Sequence, residues 1–349
     1  MKKTKQINVG GVLIGGGTRI KIQSMCNTAT SDVEKTVDQI NALASEGCDI
    51  VRVAVPDLSA ARAIKEIKKH ISIPIVADIH FDYRLAVAAA ENGADKVRIN
   101  PGNIGDNLKY VVDSCLEKNI PIRVGVNSGS LEKDLLAKYG NTPEALAESA
   151  LKSADKLLKL GFDNICLSLK SSSVINTVKA YRIVSEKTDM PLHVGVTEAG
   201  SAEIGTIKSA AAIGALLTDG IGDTIRVSLT DDPVLEVSAA KKILKALEMN
   251  TYGVNIISCP TCGRTKVDLI KIAKEVEDKV SNIKTKMTVA VMGCAVNGPG
   301  EAKNADVGIA CGAGEGLIFK NGQIICKVPE DSLVPSLLSE IEKMSGEKI

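Results

Sequence analysis

Residues 73–100 read IPIVADIHFDYRLAVAAAENGADKVRIN. Two short β-branched runs, Ile73–Ile79 and Lys96–Asn100, flank a segment, Tyr83–Ala94, whose apolar residues recur at helical spacing. Strand, helix and strand in that order form a βαβ unit, whose two strands lie parallel. The same rhythm runs outward on both sides. Toward the N-terminus come IVRVAV at 50–55, the helical segment DVEKTVDQINALASEG at 32–47 and the run IKIQSM at 20–25. Toward the C-terminus come LKYVVDSCLEKN at 108–119, IPIRVGV at 120–126, PEALAESALKSADKLLKLG at 143–161, NICLSL at 164–169, LHVGVT at 192–197 and TIRVSL at 224–229. Several helical segments end in Gly just past the last turn, as a C-cap requires. Eight strands alternating with helices predict an α/β fold, a closed (β/α)8 barrel. No G-x-G-x-x-G follows the first strand, which argues against an open dinucleotide-binding sheet.

The rhythm breaks near 248–254. This divides the chain into an expected barrel at 1–250 and a smaller α+β domain at 251–349. In the second part a strand enters the turn that holds Cys259 and Cys262, and a helix follows over Val267–Val280. Next are a strand at Met287–Gly293, a loop with Cys294, a strand at Asp306–Ala310 and a hairpin at Gly316–Val328 that turns at Asn321-Gly322. A last helix lies within Pro329–Met344.

Composition narrows the function classes. A formal net charge of +1 over 349 residues gives no global attraction to nucleic acid or to a membrane surface. Trp is absent and Phe and Tyr are few, so there is no aromatic platform on which bases could stack. The basic N-terminus lacks an apolar segment behind it, and no apolar run is long enough to span a bilayer, so a cytoplasmic protein is expected. Nine cysteines in that compartment should be mostly reduced. Cys48, Cys115 and Cys166 lie in apolar contexts and read as small buried hydrophobes.

Arg52, Arg98, Arg123 and Arg226 each sit between apolar residues of a strand. An unpaired buried charge costs several kcal/mol. One such arginine could snorkel from a strand end or pair with a nearby carboxylate, but four in one context point to a shared anionic ligand. Ligands of this fold bind at the C-terminal ends of the strands. There the sequence supplies Asp78 and His80, Asn100 and Asn103, Asn127 to Gly129, Ser168 and Lys170, Thr197, Glu198 and Gly200, and Ser228. Cationic heads with Gly- and Ser-rich turns opening helices suit a phosphate or diphosphate. His80, close after Asp78, is a better candidate for a ligand contact than His193, which reads equally well as a satisfied polar residue.

The stretch ISCPTCGRT at 257–265 and AVMGCAVNGPGEAKNADVG at 290–308 set a C-x-x-C pair apart from a lone Cys294. Thiolates so spaced hold zinc, hold an iron–sulfur cluster or form a redox pair. A second C-x-x-C for a zinc ribbon is missing, although Cys311 could complete an all-cysteine zinc site. A thioredoxin-like pair would not need Cys294, and the radical-SAM spacing is absent. Three thiolates suit a [4Fe–4S] cluster with one iron left for another ligand. Glu301 and Asp306 are the nearby carboxylates.

SCPTCGRT, MGCAVNGPGEA, RINPGNIG, VGVNSGSLE, SLKSS and VTEAG together resemble the 4-hydroxy-3-methylbut-2-enyl diphosphate synthase family of the non-mevalonate isoprenoid pathway, in its short bacterial form. The likeness runs from about Gln6 to the last helix. It implies a homodimer in which the cluster domain of one subunit caps the barrel of the other. It implies reductive ring opening and dehydration of 2-C-methyl-D-erythritol 2,4-cyclodiphosphate, with a flavodoxin or ferredoxin as electron donor. A [4Fe–4S] cluster on Cys259, Cys262, Cys294 and Glu301 follows from the resemblance, and Glu198 becomes a candidate proton donor or orienter. Arg52, His80, Arg98, Asn100, Arg123, Asn127, Ser168, Lys170, Thr197, Arg226 and Ser228 become expected substrate contacts. Cys26 and Cys311 depart from the family pattern, where Thr and Gly are expected. The rival reading is a non-catalytic iron–sulfur electron carrier or zinc-ribbon module fused to a phosphate-binding barrel.

Overall fold

The β-branched runs become strands because helices cover one face and barrel neighbours the other. A computed structural model describes residues 2–249, 253–294 and 304–349. The chain separates into two units, Met1–Met249 and Asn250–Ile349.

In the first unit the barrel strands are β3 (Lys21–Met25), β4 (Ile50–Ala54), β5 (Ile75–Asp78), β6 (Lys96–Ile99), β7 (Ile122–Asn127), β8 (Ile165–Lys170), β9 (His193–Val194) and β10 (Thr224–Ile225). They follow a two-strand hairpin, β1 (Ile7–Val9) and β2 (Val12–Ile14). The parallel sheet runs β8-β7-β6-β5-β4-β3-β10-β9, and a parallel bridge from Leu167 to Leu192 brings β8 back to β9. All eight runs read as barrel strands are barrel strands. Their helices start on side-chain caps: Asp32, Asp57, Asp82, Thr142, Ser173 and Asp232 each accept from a first-turn N–H. Gly47, at φ 106°, ends the helix Val33–Glu46 in the left-handed region, where a side chain would be strained.

The hairpin was not read from the sequence, and it closes one end of the barrel. Ile7, Val9 and Ile14 pack with Ile50, Val76 and Cys166 from the strands' starting ends. Burying each such aliphatic side chain contributes about 1.5–3 kcal/mol, which steadies a hairpin that would be marginal alone. The opposite end, where the strands finish, is not covered by this hairpin and opens to a cavity.

The second unit is a five-stranded sheet of β11 (Val254–Ser258), β12 (Met287–Met292), β13 (Val307–Cys311), β14 (Glu315–Lys320) and β15 (Gln323–Pro329), in that order. The first three run parallel and the last two antiparallel. The helices Leu269–Val280 and Leu333–Ser345 cover it with a core that includes Val276, Val289, Ile309 and Leu337. Asn321 and Gly322, both at positive φ, make the hairpin turn. Among the described residues no helix is long and apolar enough to cross a membrane.

Candidate active site

Alternate strand residues face inward, so register decides what meets inside the barrel. Pairing sets Asp78 beside Arg98 and Arg98 beside Arg123. It sets Gly125 beside Ser168 and Asn127 beside Lys170. One cavity at the strand ends is lined by Arg52, Asp78, His80, Arg98, Arg123, Gly125, Asn127, Ser168, Lys170, Thr197, Arg226 and Ser228. Ten of these are residues the sequence singles out as substrate contacts. Asp78 and Gly125 complete the wall, and their parts depend on contacts across strands. A Cβ at position 125 would collide with the Arg98 guanidinium, so only glycine lets that side chain lie across β7.

The arginines do find some carboxylates. Arg98 Nη1 donates to Asp78 Oδ1 at 3.0 Å and its Nη2 to the Gly125 carbonyl at 3.3 Å. Arg52 Nε lies 3.6 Å from Asp78 Oδ2, and its Nε and Nη2 also approach the Met25 sulfur at 3.1 and 2.9 Å. Arg226 Nη2 reaches Glu236 at 3.3 Å. Among the described residues, Arg123 and Lys170 have no carboxylate partner at all. Burial pushes the Arg123 guanidinium down to about 10, with Arg98 adding repulsion. Burial, then Arg226, pushes Lys170 well below the ordinary lysine value. The mouth of the barrel therefore carries an excess of positive charge.

Asp78 holds that ring together. Burial pushes its carboxyl upward, but Arg52, Arg98 and Arg123 outweigh burial and hold it at about 2. Its folded value lies below the unfolded one of 3.8. It therefore contributes stability that is present above pH 4 and is lost as pH falls toward 2, on the order of 2 kcal/mol. Denaturation monitored by tyrosine emission should show this loss in the wild type, and Asp78→Asn should lack it. Equal pH dependence in both proteins would show that Asp78 is not held by the arginines.

Asn100, Glu198, His193 and His80 each sit in different surroundings. Asn100 does not line the cavity; its Oδ1 caps the short helix Pro101–Ile104 by accepting from Gly102 N–H at 3.0 Å. Glu198 is exposed beside Thr197 and has φ 53°, an uncommon conformation for a residue with a side chain. His193 is buried; its Nδ1 lies 2.7 Å from Thr224 Oγ1, but among the described residues its Nε2 has no partner, so the reading of a satisfied polar residue holds for one ring nitrogen alone. His80 is largely exposed, 3.8 Å from Asp78.

In the second unit Cys259, Cys294 and Cys311 lie at the C-terminal ends of the three parallel strands, whereas Cys326 is exposed on β15. Cys259 directly follows β11 and Gly293-Cys294 directly follow β12, its parallel neighbour. Gly293 N–H donates to the Cys259 sulfur at 3.1 Å. Cys262 is exposed, and the Arg264 N–H followed by the Arg264 side chain lowers its thiol, favouring thiolate. Cys311 ends β13, where burial, with Glu330 and Cys259 nearby, pushes it up to about 11. Cys48 and Cys115 are buried and pushed by burial to about 12, and Cys166 is also buried, as expected of small core residues. Asp306 lies at the other end of its strand pair, accepting from Thr288 N–H at 2.6 Å, far along β12 from Cys294. Glu301 lies outside the described residues. Among the described residues no three His, Cys, Asp or Glu side chains converge as a metal site. As a donor set, two half-buried cysteines and one with a lowered thiol value fit a soft, thiolate-bound metal group.

Residues 4–241 match the GcpE TIM-barrel domain and residues 255–343 the GcpE protein C-terminal domain. A protein from Caldanaerobacter subterraneus subsp. tengcongensis is 62% identical, with 99% of each chain covered. One from Clostridium perfringens is 59% identical over 98% of this chain and 99% of its own. One from Geobacter sulfurreducens is 56% identical over 99% of both. All three are named 4-hydroxy-3-methylbut-2-en-1-yl diphosphate synthase (flavodoxin). Among solved structures, dihydropteroate synthase from Stenotrophomonas maltophilia aligns with a TM-score of 0.51 and 17% identity, over 70% of this chain and 98% of that one. That likeness is one of barrel fold alone.

Proposed function

The chain belongs to the GcpE family of 4-hydroxy-3-methylbut-2-en-1-yl diphosphate synthases, and from this we infer that it reductively opens and dehydrates 2-C-methyl-D-erythritol 2,4-cyclodiphosphate with flavodoxin as donor. The observation that carries the reading is the uncompensated positive charge at the barrel mouth. A cyclic diphosphate is the kind of ligand such a cavity lacks. A phosphate-binding barrel fused to a non-catalytic carrier or zinc-ribbon module would bear the same charge, and the full-length relatives named as synthases favour the catalytic reading over it.

Residues 1–250 bind the substrate in this reading, and residues 251–349 carry the electron-transfer group. Arg52, Arg98, Arg123, Arg226 and Lys170 neutralise the phosphates, the arginines through paired N–H donors. His80, Asn127, Ser168, Thr197 and Ser228 supply further polar contacts, and Asn100, by capping Pro101–Ile104, holds the loop after β6. Cys259, Cys262, Cys294 and Glu301 would hold a [4Fe–4S] cluster, which supplies electrons and a Lewis-acidic iron that no side chain can provide. The leaving oxygen must acquire protons, and Glu198, which follows the cavity residue Thr197 in the chain, would deliver or orient one. The homodimer implied by the resemblance belongs to this reading, and sedimentation equilibrium tests it. So does a cytoplasmic site of action, where flavodoxin would be met.

Arg98→Ala should weaken binding of the cyclodiphosphate by about 1.5–3 kcal/mol, roughly 10- to 150-fold. Calorimetric titration without reductant measures this on protein whose circular dichroism matches the wild type. Unchanged affinity would sink the assignment of this arginine to the substrate.

A further inference from the structure

Beneath the cavity lies a lysine that the reading above does not use. Lys96 is fully buried at the start of β6, paired in register with Val76 of the apolar floor. Among the described residues its Nζ has no hydrogen-bond partner. Arg52 from β4 and Arg123 from β7 press on it with like charge, and Cys166 from β8 is the one group that favours its protonation. His193 from β9 feels Lys96 in turn, and its Nε2 is also without a partner. The nearby carboxylates are engaged elsewhere. Asp78 binds Arg98 and Arg52, Glu236 binds Arg226 and Ser24, and Asp223 accepts from Thr4 and from Leu192 N–H.

A protonated amine without a partner beside two guanidiniums is expensive in a low-dielectric interior, whereas the neutral amine is not. An anion placed above those guanidiniums cancels their repulsion. We propose that Lys96 matches the barrel's charge to its ligand, giving up its proton at mildly alkaline pH without a diphosphate and keeping it with one in the cavity. The proposal rests on the reading that the diphosphate binds in the barrel. It fits the reaction's own charge change. Opening the ring frees a terminal phosphate whose second ionisation falls near pH 6, so the product carries one more negative charge than the substrate. The proton that Lys96 gains when the cyclic diphosphate binds is already in place when that charge appears, and it returns to solvent once the product has left. Lys96 does not line the cavity, so it acts through the field and not by contact.

Burial lowers Lys96 to about 8, with Arg123 and Arg52 adding to it, which sets where the effect is read. The experiment is calorimetric titration of the anaerobic holoenzyme with the cyclodiphosphate, without reductant, in buffers of different ionisation enthalpy. Proton uptake is compared in wild type, Lys96→Met and Lys96→Arg. Lys170 can also take up a proton, so the difference between proteins is the readout. Both variants should take up less than the wild type, by about half a proton near pH 8 and close to one near pH 9, and the difference should vanish near pH 6. Wild-type uptake in both variants would overturn the proposal. No binding to the wild type at all would overturn the assigned function and this inference with it. If neither variant folds, carbon-13 labelling of lysine Cε in the wild type decides. One lysine should titrate near pH 8 without ligand and stay charged above it with ligand; the absence of such a lysine would overturn the proposal.

Discussion

Cys262→Ser, Cys259→Ser and Cys294→Ser should each lose most of the iron and at least roughly 100-fold in turnover, since even indirect disturbance of a metal site costs 10- to 100-fold in affinity. Cys311→Ser should keep its iron. The difference follows from the sheet. Cys259 and Cys294 leave the ends of adjacent parallel strands, and Cys262 sits in an exposed turn where Arg264 favours its thiolate. Cys311 lies wholly inside the sheet's core, and burial favours its neutral thiol. A serine hydroxyl is a harder and far less acidic donor than a thiol, so it holds a soft metal centre poorly. Iron and sulfide per chain after anaerobic purification, with turnover driven by a strong artificial reductant, measure both effects. Full iron in Cys294→Ser beside iron loss in Cys311→Ser would overturn the ligand assignment.

The barrel was legible in the sequence because each of its strands is a local signal. IVRVAV or IPIRVGV carries its β-branched character within a few residues, and the caps that start the helices are equally local. The hairpin Ile7–Ile14 was passed over because its strands are three residues each and lie among glycines. Its role appears only when Ile50, Val76 and Cys166, distant in sequence, come to meet it. The arginines were found by their expense in apolar runs, but their partners were not. Asp78 stands 20 residues from Arg98, and Glu236 10 residues from Arg226 on a separate helix. Gly125 carries no local signal, because its role depends on Arg98 of the neighbouring strand lying across it. Asn100 shows the converse, since an Asn before Pro at a strand end signals a helix cap as readily as a ligand contact. The C-x-x-C was plain, whereas the spacing from Cys262 to Cys294 says nothing of which strand ends are adjacent; β11 pairing with β12 supplies that.

Glu198→Gln should lower turnover by about 100- to 10,000-fold while leaving the affinity for the cyclodiphosphate within a few-fold of the wild type. Glu198 is exposed and follows Thr197, which lines a mouth crowded with guanidiniums. Removing a negative charge there cannot weaken attraction for a diphosphate, so the loss belongs in kcat and not in KM. The backbone supplies an independent check. Glu198 occupies the left-handed region at φ 53°, where a side chain costs on the order of 1 kcal/mol and glycine costs nothing. If the strain is retained for the reaction, Glu198→Gly should be more stable than the wild type by up to about 1 kcal/mol and yet as slow as Glu198→Gln. A residue kept for stability would show the opposite, with glycine destabilising and turnover unharmed. Tyrosine-monitored denaturation and steady-state turnover with the artificial reductant separate these outcomes. Turnover by Glu198→Gln within about threefold of the wild type would remove Glu198 from the reaction, because a group that moves or orients the proton cannot be replaced by an amide at so small a cost.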